Sequence, residues 1–319
     1  LFKHPEPFLL EKENLDKIRK LNHFHLIRHL ATFGVGKKHY VVFPWAGGGN
    51  LRQYWKGHDQ DKRTPELALW CLQQMLHMVS ALEALHSINC RHGDLKPENI
   101  LHFDVNSRLV IADVGVSKIH EHATKLRNTP TKSKATTPSY EAPEVITERE
   151  DARSRLYDMW SLGCVFLEFI IWFFHGYDSI NNFSDARQPD PDLPSHFYTK
   201  TLERKAIIHP SVTEAITALQ QDPRCKGDTA LRAFINLIAE KLLRISVDDR
   251  DTAKKVFQTL KGIVQRAESN DVCLFNTTED LPETPLVFQG ARRKSIAWQG
   301  QPNNPAIPEE RFVQPDHRD

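Results

Sequence analysis

Apolar residues recur along this chain with several spacings, and each spacing predicts a different element. Leu15, Ile18 and Leu21 stand three apart between charges, the stripe of an amphipathic helix over residues 12–21. Residues 30–33 and 40–43 are short β-rich runs joined by Gly34-Val35-Gly36-Lys37-Lys38, which predicts a hairpin. Pro44-Trp45-Ala46-Gly47-Gly48-Gly49 then breaks all periodicity and reads as a hinge between a small β-containing part and a larger helical one. Thr64-Pro65-Glu66 supplies an N-cap and a proline at the first helical position. Behind it Leu72, Met75, Val79, Leu82 and Leu85 recur every three or four positions, so a long helix buries one face. Two polar loops follow, separated by Leu109-Val110-Ile111-Ala112, a short buried strand. The longest apolar run, residues 159–174, falls short of the ~20 residues of a membrane span, and Glu168 interrupts it; a buried core helix fits better. Residues 179–210, rich in Asp, Pro, Asn and Ser, read as a long irregular insertion. Beyond about Glu268 the sequence is polar and proline-rich without period, which predicts a disordered tail.

Composition adds exclusions. Within 319 residues, 42 basic side chains nearly balance 41 acidic ones, which argues against nucleic acid or an anionic membrane as the main partner. Five scattered cysteines form no Cys-x-x-Cys pair, so neither a disulfide framework nor a zinc site is expected. The setting they imply is intracellular, cytoplasmic or nuclear. No signal peptide is visible, but the chain opens on Leu1 rather than methionine. His23, His25 and His29 cluster without an acidic or thiolate partner, and a turn with exposed imidazoles is expected there.

The two polar loops hold the candidate chemistry. Phosphoryl transfer needs a group beside the attacking hydroxyl, a cation on the transferring phosphate, and hard oxygens on Mg²⁺. His92-Gly93-Asp94-Leu95-Lys96-Pro97-Glu98-Asn99 supplies Asp94, Lys96 and Asn99, and Pro97 stiffens the loop between them. Asp113, at the end of the short strand in Asp113-Val114-Gly115, adds a second carboxylate.

These loops resemble the catalytic loop and the Asp-Phe-Gly motif of the eukaryotic-type serine/threonine protein kinases, with Gly93 and Val114 as replacements. Ala142-Pro143-Glu144 stands about thirty residues after Asp113, as in that family, and Asp158-Met159-Trp160-Ser161-Leu162-Gly163 resembles the start of its central buried helix. The resemblance implies an α+β, protein-kinase-like fold: an incomplete N-terminal lobe and hinge over residues 1–48, a mainly helical C-terminal lobe over 49–266 with an insertion near 179–228, and the tail over 267–319. It implies ATP and Mg²⁺ as cofactors and a protein substrate. Asp94 would orient and deprotonate the hydroxyl, Lys96 would neutralise the γ-phosphate, and Asn99 and Asp113 would hold the metal. Thr137 would bond the catalytic Asp and Lys, and its position marks the serine/threonine class. Phe43 would be the gatekeeper, with the Pro44 carbonyl and Ala46 amide on adenine and Leu101 as its floor. Asn50 and Glu98 are further cofactor-side candidates. Asp158 would bond the catalytic-loop backbone, and Arg250 would be the buried partner of Glu144.

Three departures shape the expectation. The family's glycine-rich loop and strand lysine should precede the helix at residues 12–21, and the sequence carries neither; Lys3 lies too close to that helix. The position of the family's helix glutamate falls on Asn14, with Glu11 and Glu13 beside it as either substitutes or plain solvated charges. Gly93 replaces the arginine that pairs with an activation-segment phosphate, so phosphorylation of Thr129, Thr131 or Ser133 is not expected to control activity. The insertion, Phe24-His25-Leu26-Ile27 and Phe43-Pro44-Trp45-Ala46 resemble a divergent kinase subgroup of filamentous fungi. Arg292-Arg293-Lys294-Ser295-Ile296 resembles a target of basophilic kinases. The missing lid motifs keep open a pseudokinase or interaction scaffold. A small-molecule kinase is disfavoured by the peptide-binding segment formed by Thr137 and Ala142-Pro143-Glu144. Nothing in the sequence fixes the oligomeric state.

Overall fold

In the computed structural model, residues 5–36, 38–114, 138–147, 154–190, 192–203, 205–270, 273–276, 286 and 288 are described. Thr137, Gly115, Lys3, Ser295 and the activation-segment residues Thr129, Thr131 and Ser133 lie outside them.

The helix predicted over residues 12–21 is α1, Pro5–Lys20, which begins about two turns earlier because proline is tolerated in a first helical turn. Leu15 and Ile18 are buried as their spacing predicts. Strands β1, Ala31–Val35, and β2, Lys38–Val42, form an antiparallel hairpin with Phe33 opposite Tyr40. After the hinge comes a helix the apolar pattern does not reveal, α2, Leu51–Gly57. Asn50 caps it in a reciprocal box with Gln53. The triglycine turn lies against the next hairpin: Gly48 N–H donates to the His102 carbonyl (3.1 Å), and His102 N–H to the Gly49 carbonyl (2.8 Å). A Cβ on Gly48 would run into the His102 ring, so this close approach requires glycine.

Helix α3, Pro65–Ser87, starts at its Thr64 cap and buries Leu72, Met75, Val79, Leu82 and Leu85, as expected. Strands β3, Ile100–Phe103, and β4, Arg108–Ile111, pair antiparallel behind the first polar loop. The short helix α4, Glu144–Thr147, leads to α5, Leu156–Arg187. By length and composition α5 would cross a membrane, yet 89% of its apolar window lies buried inside the fold, the core helix expected of residues 159–174.

The insertion is more regular than expected. Helix α5 continues past a break at Gly176 (φ 78°) to Arg187, then a hairpin of β5, Tyr198–Lys200, and β6, Ala206–Ile208, precedes α6, Pro210–Gln221. Helices α7, Ala230–Leu237, and α8, Ala253–Glu268, complete the lobe, and α8 packs along α3. The segment after α8 also departs from the expected disorder. Ala230 N–H donates to the Cys273 carbonyl (2.8 Å) and Leu231 N–H to that of Leu274 (3.0 Å); Phe275 packs edge-on against Phe173 and Phe174. Further along, Phe288 is 1% exposed. Isolated aromatic residues in a polar stretch leave no periodic signal, yet each finds a pocket.

The histidine cluster is likewise not a turn with exposed imidazoles. His25 and His29 are buried. His25 stacks on His77 with ring centroids 4.4 Å apart and shares a 2.7 Å hydrogen bond with the Leu109 carbonyl. No group of three metal-binding side chains occurs among the described residues.

Candidate phosphoryl-transfer site

The loop between α3 and β3 is organised from below by one buried carboxylate. Asp158, in the first turn of α5 and fully buried, accepts from His92 N–H (2.8 Å), Gly93 N–H (2.8 Å) and His86 Nε2 (2.8 Å). Burial alone would raise its pKa. The hydrogen bond and charge of His86, the nearby His92 ring and the Gly93 N–H outweigh burial and hold it below the usual carboxylate range. Gly93 adopts φ +81°, a left-handed conformation that costs glycine little while it turns its N–H toward Asp158.

The other side of the loop is tied to the backbone that follows β4, just before Asp113. His92 Nδ1 accepts from Asp94 N–H (3.3 Å), which leaves Nε2 to donate to the Ala112 carbonyl (2.8 Å) and fixes one neutral tautomer. Ala112 N–H in turn donates to the Asn99 carbonyl (2.8 Å). The next residue, Asp113, is exposed and stands at φ 58°, a conformation uncommon for any residue but glycine, Asn or Asp. Within the loop, Lys96 Nζ lies 2.9 Å from Asp94 Oδ2, and Asn99 Nδ2 donates to the Asp94 carbonyl (2.8 Å) and Oδ2 (3.2 Å). Asp94, Lys96 and Asn99 are thus interlocked, and Asp113 is two backbone links away.

The remaining candidates fall into two groups. Asn50 and Leu101 are brought together as a β-bridge beneath the hinge, but the side-chain Oδ1 of Asn50 is committed to the cap of α2, accepting from Gln53 N–H (3.0 Å). Pro44, Ala46 and Leu101 are half-buried, while Phe43, just after β2, is 40% exposed. Glu98 is engaged elsewhere: Arg52 Nε donates to it at 2.6 Å, so a cation of the chain itself occupies that carboxylate. Among the helix acids, Glu13 pairs with Lys17 at 3.2 Å on an exposed face, the solvated-charge alternative.

Arg52 belongs to a network absent from the sequence reading. Its guanidinium also donates to the Tyr140 hydroxyl and approaches Glu168 Oε2 (3.4 Å), to which Tyr140 O–H donates at 2.7 Å. Arg187, 2% exposed, approaches the other Glu168 oxygen at 3.4 Å. A signal was present: a glutamate inside an apolar helix requires buried partners. The partners themselves, 116 residues before and 19 after, have no local signature. Glu144 and Arg250 form the expected buried pair, with contacts of 2.9 and 2.7 Å. An open cavity of about 830 Å³ lies between α6 and α7, lined by Lys226, Asp228, Arg232 and Asn236, and includes none of these residues.

A carboxylate, a lysine, an amide and a second carboxylate thus lie close together in the fold, the kinds of group that phosphoryl transfer uses. The model of the protein kinase domain matches residues 11–260, and this chain belongs to that family. It is 34% identical over 155 residues (48% of this chain, 35% of the relative) to the calcium/calmodulin-dependent protein kinase cmkA of Emericella nidulans. It is 31% identical over 163 residues (50% of this chain, 21% of the relative) to the serine/threonine-protein kinase PKH3 of Eremothecium gossypii. With the serine/threonine-protein kinase fray1 of Dictyostelium discoideum, identity is 34% over 201 residues (60% and 33%). The chain thus spans about a third or less of each of these relatives.

Proposed function

We propose that this chain transfers the γ-phosphate of ATP to serine or threonine hydroxyls of protein substrates, with Mg²⁺ as the metal. The observation that carries this reading is the interlocked Asp94, Lys96 and Asn99, joined through Ala112 to Asp113. Phosphoryl transfer is largely positioning and electrostatics. The Asp94 carboxylate accepts the substrate hydroxyl proton. The Lys96 ammonium, held 2.9 Å from that carboxylate, sits where charge develops on the transferring group. The side-chain nitrogen of Asn99 is committed to Asp94, so its side-chain oxygen Oδ1 is the atom available to a metal, with the exposed Asp113 carboxylate as the other ligand. These are hard oxygen donors, which fit Mg²⁺; when bound, the ion supplies charge neutralisation on the phosphates. The Pro44 carbonyl and Ala46 amide are assigned to adenine, Leu101 to its floor, and the Thr137 hydroxyl to Asp94 and Lys96.

The serine/threonine class rests on Thr137 and on the similarity to PKH3 and fray1, both serine/threonine-protein kinases. An intracellular setting is supported by Cys71, Cys90, Cys164 and Cys225, which are buried as free thiols. The test is phosphoamino-acid analysis after incubation of the chain with γ-labelled ATP, Mg²⁺ and a mixed protein acceptor. Phosphoserine and phosphothreonine are expected; label confined to tyrosine, or to small-molecule acceptors, would sink the assignment. No transfer at all would favour the scaffold reading.

A further inference from the structure

We propose that Leu286 and Phe288, from the C-terminal part of the chain, act in cis as a positioning element for the protein-substrate side of the site, with Phe288 as the anchor. This kinetic role rests on the phosphoryl-transfer reading; the structural coupling beneath it does not.

Leu286 and Phe288 are each held along the second half of α5. Leu286 N–H donates to Ser179 Oγ (3.0 Å), whose hydroxyl donates to the His175 carbonyl (2.7 Å). The Phe288 ring meets Phe183 with centroids 5.3 Å apart. From Phe183 an unbroken series of contacts leads to the substrate-side loop. Phe183 meets Phe197 edge-on at 5.6 Å, and Phe197 meets Tyr140 at 6.0 Å. Arg187 covers Phe183 and Phe197 at 4.1 and 3.8 Å, and donates to the Ser195 carbonyl (2.8 Å). Arg187 and Tyr140 then share Glu168, and Arg52 links Tyr140 to Glu98 between Lys96 and Asn99.

Tyr140 follows Thr137 and precedes Ala142-Pro143-Glu144, so it belongs to the segment assigned to the peptide acceptor. Close-packed aromatic rings do not slide independently; removing the outermost opens a gap beside Phe183, which keeps Arg187 and Phe197 as neighbours, and loosens the contact of Phe197 with Tyr140. Phe288 touches neither substrate nor reacting atoms. Its effect falls on acceptor binding, while the interlocked loop over Asp158 keeps its geometry.

The experiment uses the full chain with Phe288→Ala, Phe288→Leu and the milder Ser179→Ala. Backbone hydrogen exchange is read at residues 139–141 and 197–198, with α3 and α8 as controls. Phe288→Ala is expected to speed exchange at least tenfold at both sites and leave α3 and α8 within twofold. Phe288→Leu should recover most of the protection, and Ser179→Ala should show the same pattern more weakly. In kinetics, KM for the protein acceptor should rise about tenfold, with kcat and KM for ATP within twofold. Unchanged exchange at 139–141, a uniform rise in all segments of both Phe288→Ala and Ser179→Ala, or a fall in kcat with unchanged acceptor KM would overturn the proposal. Localised exchange in a chain that transfers no phosphate would count against the enzymatic reading and leave the coupling standing.

Discussion

Breaking the Glu144–Arg250 pair should show how the end of the substrate-side segment is fastened to the helical lobe. The two side chains are 4% and 0% exposed. All five guanidinium N–H groups of Arg250 have acceptors: Nε donates to the Arg244 carbonyl (2.7 Å), one terminal nitrogen serves Glu144 Oε1 and the Leu156 carbonyl (2.9 and 3.3 Å), and the other serves Glu144 Oε2 and the Ile245 carbonyl (2.7 and 3.2 Å). Arg250→Met strands a buried carboxylate and the Arg244, Ile245 and Leu156 carbonyls, a loss of ~3–5 kcal/mol. Glu144→Gln keeps the shape and one good acceptor, and should lose only ~1.5–3 kcal/mol, the worth of hydrogen bonds to a charged group. Because both variants remove the same contact, Glu144→Gln combined with Arg250→Met should cost less than the sum of the single losses by at least ~1 kcal/mol. The assay is urea unfolding read by tryptophan fluorescence, with Trp160 beneath the guanidinium at 5.2 Å as a local reporter. A loss below about 1 kcal/mol for Arg250→Met, or strict additivity in the double variant, would refute this reasoning.

Other predictions concern acid, the loop and the activation segment. Burial first, then the charges of His77, His23 and Arg108, depress His25 to about 4 from its ordinary 6.5, against the opposing Leu109 hydrogen bond. His23 and Ser80, His77 on α3 with Glu268 of α8 acting on it, and Arg108 on β4 are the groups that face this cluster. The unfolded chain therefore binds the proton more readily: stability is full above about pH 6.5 and is lost as pH falls toward 4, by at most ~3 kcal/mol from this residue. Thermal unfolding from pH 7.5 to 4.5 should show this slope, and His25→Gln should flatten it. Asp158→Asn places an amide against the His92 and Gly93 N–H donors; a loss of ~3 kcal/mol and faster amide exchange at Gly93 are expected, and native exchange there would count against Asp158 as organiser. Combined replacement of Thr129, Thr131 and Ser133 by alanine should leave transfer within about threefold, since Gly93 provides no cation for a phosphate there; abolished transfer would contradict it.

Legibility in the sequence followed the range of the interactions. Helix α3 was readable because Thr64, Pro65 and the spacing from Leu72 to Leu85 are local signals, and the core run of α5 because continuous apolarity allows no exposed face. The catalytic loop and the Glu144–Arg250 pair were readable through family motifs, although 106 residues separate the two charges. Helix α2 was not seen, although the Asn50 and Gln53 capping box was present, because seven residues are too few to set a period. The insertion read as irregular because Asp, Asn and Ser dominate its composition, yet Arg187 and Phe183 supply its tertiary anchors. Glu98 and Phe288 eluded a sequence reading for the same reason: Arg52 and Phe183, which decide their environment, are distant in the chain.

The most direct measurement of the central claim is Mg²⁺-dependent transfer of label from γ-³²P ATP to a protein acceptor by the full chain, compared with Asp94→Asn. The carboxamide keeps the size of the side chain but is no longer a base or the anionic partner that lies 2.9 Å from Lys96. Transfer that disappears with a chelator and falls at least ~100-fold in Asp94→Asn is the predicted result. Equal transfer by the two proteins, or none above the Asp94→Asn background, would contradict the assignment of this loop as a phosphoryl-transfer site.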